Sequence, residues 1–185
     1  MQKLTSVKRL VICALCTALC YVLPLAFHAL TLGNALSPLH IPVLLCGLVC
    51  GPAYGVFCGI VGPVLSSVLS GMPPATGLIS MVPELAVYGL VCGLLMKWVR
   101  TGKVLPDLYI SMVPAMLAGR IVGGIAKALF LLGTGGSYSL AMFVSSYFVG
   151  SVPGIILHLI LVPAVALTLE KARAIPARYV KVNRE

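Results

Sequence analysis

From about residue 9 to residue 169 the chain is a succession of apolar runs broken by proline and glycine, and only Glu84, Arg120 and Lys127 are ionised inside them. Runs of roughly 20 apolar residues match the thickness of a bilayer's hydrocarbon core, and charges within such runs are rare because hydrocarbon solvates them poorly. Composition agrees: the chain is 60% hydrophobic and 9% charged, where an ordinary soluble domain is about half apolar and a quarter charged. A soluble fold of 185 residues could not hide so much apolar surface. The reading is an all-α integral membrane protein, with residues 1–185 forming a single membrane domain and no soluble one.

Apolar runs set against Pro/Gly breaks predict six transmembrane helices at about 9–31, 40–51, 54–70, 78–97, 107–132 and 146–169. The second is too short to cross a bilayer unaided. Pro42, Pro52 and Pro63 interrupt this region, so 40–70 also reads as one broken crossing and return. Lys3, Lys8 and Arg9 precede the first helix; Lys97, Arg100 and Lys103 lie between the fourth and fifth; Lys171, Arg173, Arg178, Lys181 and Arg184 follow the sixth. With six crossings these positions share one side, whereas the connections at about 32–39, 71–77 and 133–145 contain no Lys or Arg. Positive charge stays inside, so the N- and C-termini are expected in the cytoplasm. The first apolar run continues to about Leu32 without a small-residue cleavage pattern, which favours a retained helix over a signal peptide.

Several function classes drop out. The formal charge of +9 is gathered at helix ends and not on an amphipathic element with interleaved aromatics, so no nucleic-acid partner is expected. Cys13, Cys16, Cys20, Cys46, Cys50, Cys58 and Cys92 all lie in apolar segments without the neighbours of a metal set, and are read as small packing residues. No metal and no cofactor is expected. There is no GxxxxGK[ST] loop, so ATP hydrolysis must come from a partner. HExxH, GxSxG and paired intramembrane aspartates are also missing, which makes an enzyme the weaker reading, although an Arg/Lys/His site acting on a lipid phosphate stays open. Glycines at four-residue spacing (Gly47, Gly51, Gly55 and Gly59; Gly119 and Gly123; Gly150 and Gly154) predict close helix packing.

The three ionised side chains are the first functional candidates. The predicted topology puts Glu84 in the outer third of its helix, Arg120 near mid-depth and Lys127 in the outer third. Arg120 and Lys127 are two helical turns apart and share a face, with Gly123 and Gly124 between them. A cleft open to the outside would then hold two cations, one carboxylate and a glycine floor. Glu84 could instead form a structural ion pair with one cation; the other would still lack a carboxylate, because Asp107 and Glu170 lie at the cytoplasmic ends. The positive surplus predicts an anionic ligand, such as one with a single carboxylate that Arg120 or Lys127 could bind. Asn34, Ser37 and His40 on the first outer connection and Ser137, Tyr138, Ser145, Ser146 and Tyr147 on the last are placed to close over it. His28 and His158 are read as packing histidines.

The segment Ser37-Pro38-Leu39-His40-Ile41-Pro42-Val43-Leu44-Leu45-Cys46-Gly47, the Gly71-Met72-Pro73-Pro74 turn and the stretch Pro83-Glu84-Leu85-Ala86-Val87-Tyr88-Gly89 together resemble the S components of energy-coupling factor (ECF) transporters. The resemblance implies a subunit of the bacterial cell membrane that binds a vitamin at its outward side. It also implies docking on a membrane subunit, EcfT, driven by two ABC ATPases. The family's AxxxA docking motif falls on Ala14 and Ala18, and the resemblance implies that the whole subunit topples in the membrane during transport. Its SPxHIPVLLCG-type segment is most similar to S components assigned to pantothenate. Folate or a queuosine-type precursor fit the same scaffold. From another class, a stand-alone secondary carrier would fit the broken 40–70 region.

Overall fold

The computed structural model describes residues 4–29, 37–176 and 178–179, and among these every regular element is helical. In chain order they are α1 (Ser6–Ala29), α2 (His40–Cys50), α3 (Pro52–Ser70), α4 (Ala75–Trp98), α5 (Val104–Gly133), α6 (Leu140–Val144), a π-helical turn (Ser145–Val149) and α7 (Val152–Lys171). Five helical stretches are long and apolar enough to cross a membrane: Ser6–His28, Pro52–Ser70, Ala75–Trp98, Val104–Gly133 and Leu140–Lys171.

The short α2 is accounted for by where it sits. Nearly all of its side chains are buried, from His40 through Cys50. A helix that is apolar all round is stable only when covered on every side, and α2 packs against α1, α3 and α4. On α1, Cys13, Cys16, Thr17 and Cys20 form the buried stripe at three- and four-residue spacing, while Val11, Ala14, Leu15 and Ala18 lie on the exposed side. The seven cysteines are all buried and reduced.

Glycine sets the spacing of the α2–α3–α4 block. A Cβ placed on Gly55 would stand 2.6 Å from the Gly89 carbonyl oxygen, one on Gly47 2.8 Å from the same atom, and one on Gly59 2.5 Å from the Leu85 carbonyl oxygen. Each opposing atom is backbone and cannot step aside. The turn from α2 to α3 needs Gly51 at φ +98°, and Pro52 then starts α3 where its missing N–H costs nothing. Gly89→Val should therefore pry α3 from α4 at a loss near the top of the ~1–3 kcal/mol range for overpacking; thermal unfolding of the purified variant checks this.

The last membrane stretch differs from expectation. Hydropathy alone predicts a single helix from about 146, with 133–145 as a connection. Helix instead begins at Leu140, where the Ser139 hydroxyl accepts from the Met142 N–H at 3.3 Å. It widens into the π turn, closed by the Gly150 N–H on the Ser145 carbonyl, and breaks before α7. Polar residues at 145, 146 and 151 conceal this helix in the sequence.

At the opposite end, where the 99–103 loop lies, Asp107 is fully buried. It accepts from the Thr101 N–H at 2.8 Å, the Thr101 hydroxyl at 2.7 Å, the Arg178 Nε at 2.5 Å and the Tyr179 hydroxyl at 2.6 Å. Arg178 also donates to the Met96 carbonyl, and its own N–H donates to Glu170. This clasp fastens the chain after α7 to the α4–α5 loop.

Candidate functional site

Near the other end of the bundle, a polar chain runs between apolar helices. Glu84 on α4 is 6% exposed. Its Oε1 accepts from the Tyr88 hydroxyl at 3.1 Å and faces His40 Nε2 at 3.4 Å. The other ring nitrogen of His40, Nδ1, lies 3.1 Å from the Ser37 carbonyl, which the His158 Nε2 approaches at 3.2 Å. The His40 ring stacks on His158 with centroids 5.4 Å apart and meets Tyr88 edge-on at 5.2 Å.

A carbonyl can only accept, so the ring donates in the contact between His40 Nδ1 and Ser37, which leaves His40 Nε2 facing the Glu84 carboxylate.

Glu84 is thus matched by a histidine and not by either cation. Among the described residues the ion pairs within 4 Å are His40–Glu84 and Arg178–Asp107. Arg120 on α5 is 4% exposed; its Nη1 donates to the Tyr147 carbonyl and the Ser151 hydroxyl, and the Tyr88 phenol is a further neighbour. Its Nε has no acceptor. Lys127 stands 5.9 Å from the centre of the Tyr147 ring, in cation–π range. Tyr147 is buried and packs on Phe143 at 5.5 Å. The Tyr138 hydroxyl, also buried, lacks a partner.

Gly123 is a seat for Glu84: a Cβ there would lie 2.8 Å from Glu84 Cβ. Gly124 holds the Phe143 ring in the same way, and Gly119 holds Tyr88. The glycines expected as a ligand floor are therefore filled by this protein's own side chains. Asn34 lies outside the described residues. His40, Glu84, Arg120, Lys127 and Tyr147 fall in one neighbourhood, joined by Tyr88, Ser151 and His158, which the residue-by-residue reading did not assign to the site. Tyr88 was accessible in principle, being one helical turn from Glu84. Ser151 carried no signal.

A cavity of about 430 Å³ touches this network at Ser37 and is otherwise lined by residues such as His28, Leu39, Met72, Pro73 and Met81; His40, Glu84, Arg120, Lys127 and Tyr147 are not on its wall, so the expected cleft around the charges is not what encloses it. Its walls are pinned: the Ser66 hydroxyl donates to the Met72 carbonyl at 2.7 Å and the Ser67 hydroxyl to the Pro73 carbonyl at 2.8 Å. That volume lies within the ~300–1,000 Å³ of small-molecule sites. Among the described residues no group of three His, Cys, Asp or Glu side chains is placed to hold a metal ion.

Comparison with known proteins gives one match. The family model described as "ECF transporter, substrate-specific component" matches residues 8–166. No curated protein and no solved structure matches.

Proposed function

Since the chain belongs to the family of ECF transporter substrate-specific components, we propose that it captures a small anionic nutrient on the outer side of a bacterial plasma membrane for ATP-driven uptake. Members of this family are transporter subunits that bind small-molecule substrates and work with EcfT and ATPase subunits; they are not enzymes. In this reading the single membrane domain makes six crossings, with α2 as the short second one and both termini cytoplasmic. The end bearing Ser37, Gly71 and Tyr138 then faces outward. That orientation agrees with the lysines and arginines at the other end.

The observation that carries the anionic preference is the matching of Glu84 by His40. Arg120 and Lys127 are left without a carboxylate, and two buried donors, Arg120 Nε and the Tyr138 hydroxyl, are unmet. A carboxylate brought in by the ligand would answer the charge. Glu84, His40 and Tyr147, with Asn34 from the first connection, are proposed to meet its polar groups, and the adjoining cavity to take its body. Gly123 and Gly124 contribute by seating Glu84 and Phe143. Pantothenate, a small hydroxylated monocarboxylate, is the leading candidate.

Calorimetric titration of the purified chain with pantothenate, folate and a queuosine-type precursor tests this. Pantothenate is expected to bind at micromolar affinity or tighter, equivalent to about −8 kcal/mol, and Lys127→Ala to weaken it by tens of fold. Preference for the neutral precursor, or indifference to Lys127→Ala, overturns the anionic reading. Uptake by the chain alone in liposomes would instead establish a self-sufficient carrier.

A further inference from the structure

Arg120 has a second task that its charge does not reveal. The helix breaks between the π turn and α7, and the Tyr147 carbonyl at that break takes side-chain donors: Arg120 Nη1 and the Ser151 hydroxyl, the latter at 2.5 Å. Inside a bilayer no water is present to satisfy a carbonyl freed by a broken helix, so a side chain must do it. Arg120 thereby ties α5 to the segment 140–151 across a seam whose other close contacts include Phe143 seated on Gly124 and, on the α7 side, the Tyr109 hydroxyl donating to the Leu159 carbonyl at 3.1 Å. A fissure of about 300 Å³ opens between α5 and α6, lined by Ile121, Gly124, Ile125, Tyr138, Leu140 and Phe143. A second, of about 170 Å³, opens between α5 and α7 and includes Met116, Arg120, Phe148 and Ile155. Elsewhere the bundle is glycine-tight, as at Gly55 and Gly59. The inner end of α7 is held by a different device, the Asp107–Arg178–Tyr179 clasp.

From this placement we infer that α6 and the π turn form a gate, latched shut by Arg120 on the Tyr147 carbonyl and hinged at the Ser151 break, beyond which His158 holds α7 to Ser37 and His40. Tyr147 travels with the gate, so its ring leaves Lys127 when the gate opens and the polar site is uncovered from the side. A π turn within a helix commonly marks a functional position, and here it supplies the carbonyl that the latch grips. The inference goes beyond the capture reading and does not depend on which solute is bound.

The test places nitroxide labels on Ile79→Cys in α4 and Val149→Cys in the π turn, both exposed, in the full chain in lipid nanodiscs. The seven native thiols are buried, and intact mass confirms that two labels are attached. Pulsed electron resonance should give one dominant distance for the otherwise unaltered chain and a second, longer one in Arg120→Gln. Arg120→Lys and Ser151→Ala, which keep part of the latch and are milder should Arg120→Gln fail to fold, should show the same longer population at lower weight. A control pair, Leu25→Cys on α1 with Val68→Cys on α3, should stay unchanged. An unaltered 79–149 distance in Arg120→Lys and Ser151→Ala, or equal broadening of the control pair, overturns the gate. Because the readout needs no ligand, a chain that binds no vitamin but still opens separates failure of the capture reading from failure of this one.

Discussion

Ala14→Trp is expected to abolish assembly with EcfT and the ATPases while leaving solute affinity unchanged. Ala14 and Ala18 lie one turn apart on the exposed side of α1, away from the stripe of Cys13, Cys16 and Cys20 that packs inward. Two helices in lipid gain little from burying apolar surface, since lipid tails are equally apolar. Their contact rests on close van der Waals approach, which small residues permit. An indole at position 14 would hold the partner helix away over a full turn. A loss of only about 1.4 kcal/mol would weaken the affinity for the partner tenfold, and a steric block of this size should exceed that. Co-purification of tagged EcfT measures the first effect and calorimetry with pantothenate the second. Normal recovery of the complex would move the docking face off α1. Ala18→Trp should behave alike, whereas Leu25→Trp, two turns further along, should not.

The second large effect concerns the clasp. Asp107→Ala is expected to destabilise the protein by about 3–5 kcal/mol, the usual cost of removing one partner from a buried ion pair. The loss exceeds one contact because four donors converge on this carboxylate, from Thr101, Arg178 and Tyr179. Without it, the Arg178 guanidinium keeps the Met96 carbonyl as a partner but has no counter-charge. Arg178→Ala should cost less, because Thr101 and Tyr179 still satisfy Asp107. The double variant should be more stable than the sum of the two single losses predicts, since the Arg178 charge that Asp107→Ala strands is itself removed in the double change. Strict additivity in thermal unfolding would show that the two side chains do not act as a pair.

How far the sequence reveals this molecule depends on which force shapes each part. The long helices are written in apolar runs because the bilayer demands them, and α3, α4 and α5 are recognisable within a few residues. α6 is hidden because the serines that flank it, at 139, 145, 146 and 151, serve a cap and a helix break, functions that resemble a loop when only hydropathy is read. Glu84, Arg120 and Lys127 stand out by charge, yet their partners do not. His40 lies 44 residues from Glu84, and nothing local links them. That Arg120 grips a backbone carbonyl is unreadable in principle from side-chain patterns, since every residue carries a carbonyl and only the fold determines which one is left open. The glycines misled in one respect: spacing marked Gly123 as a close approach but not what approaches it, which is Glu84 itself.

The brevity of α2 bears on how the chain is made. Eleven helical residues extend roughly 16 Å, about half the ~30 Å of hydrocarbon. Such a segment offers the insertion machinery too little to halt translocation by itself. Gly51 and Pro52 join it to α3 by a turn with no spare residues, so on the six-crossing reading the two would enter the membrane as one hairpin, with α2 partly unsheltered until α4 is laid against it.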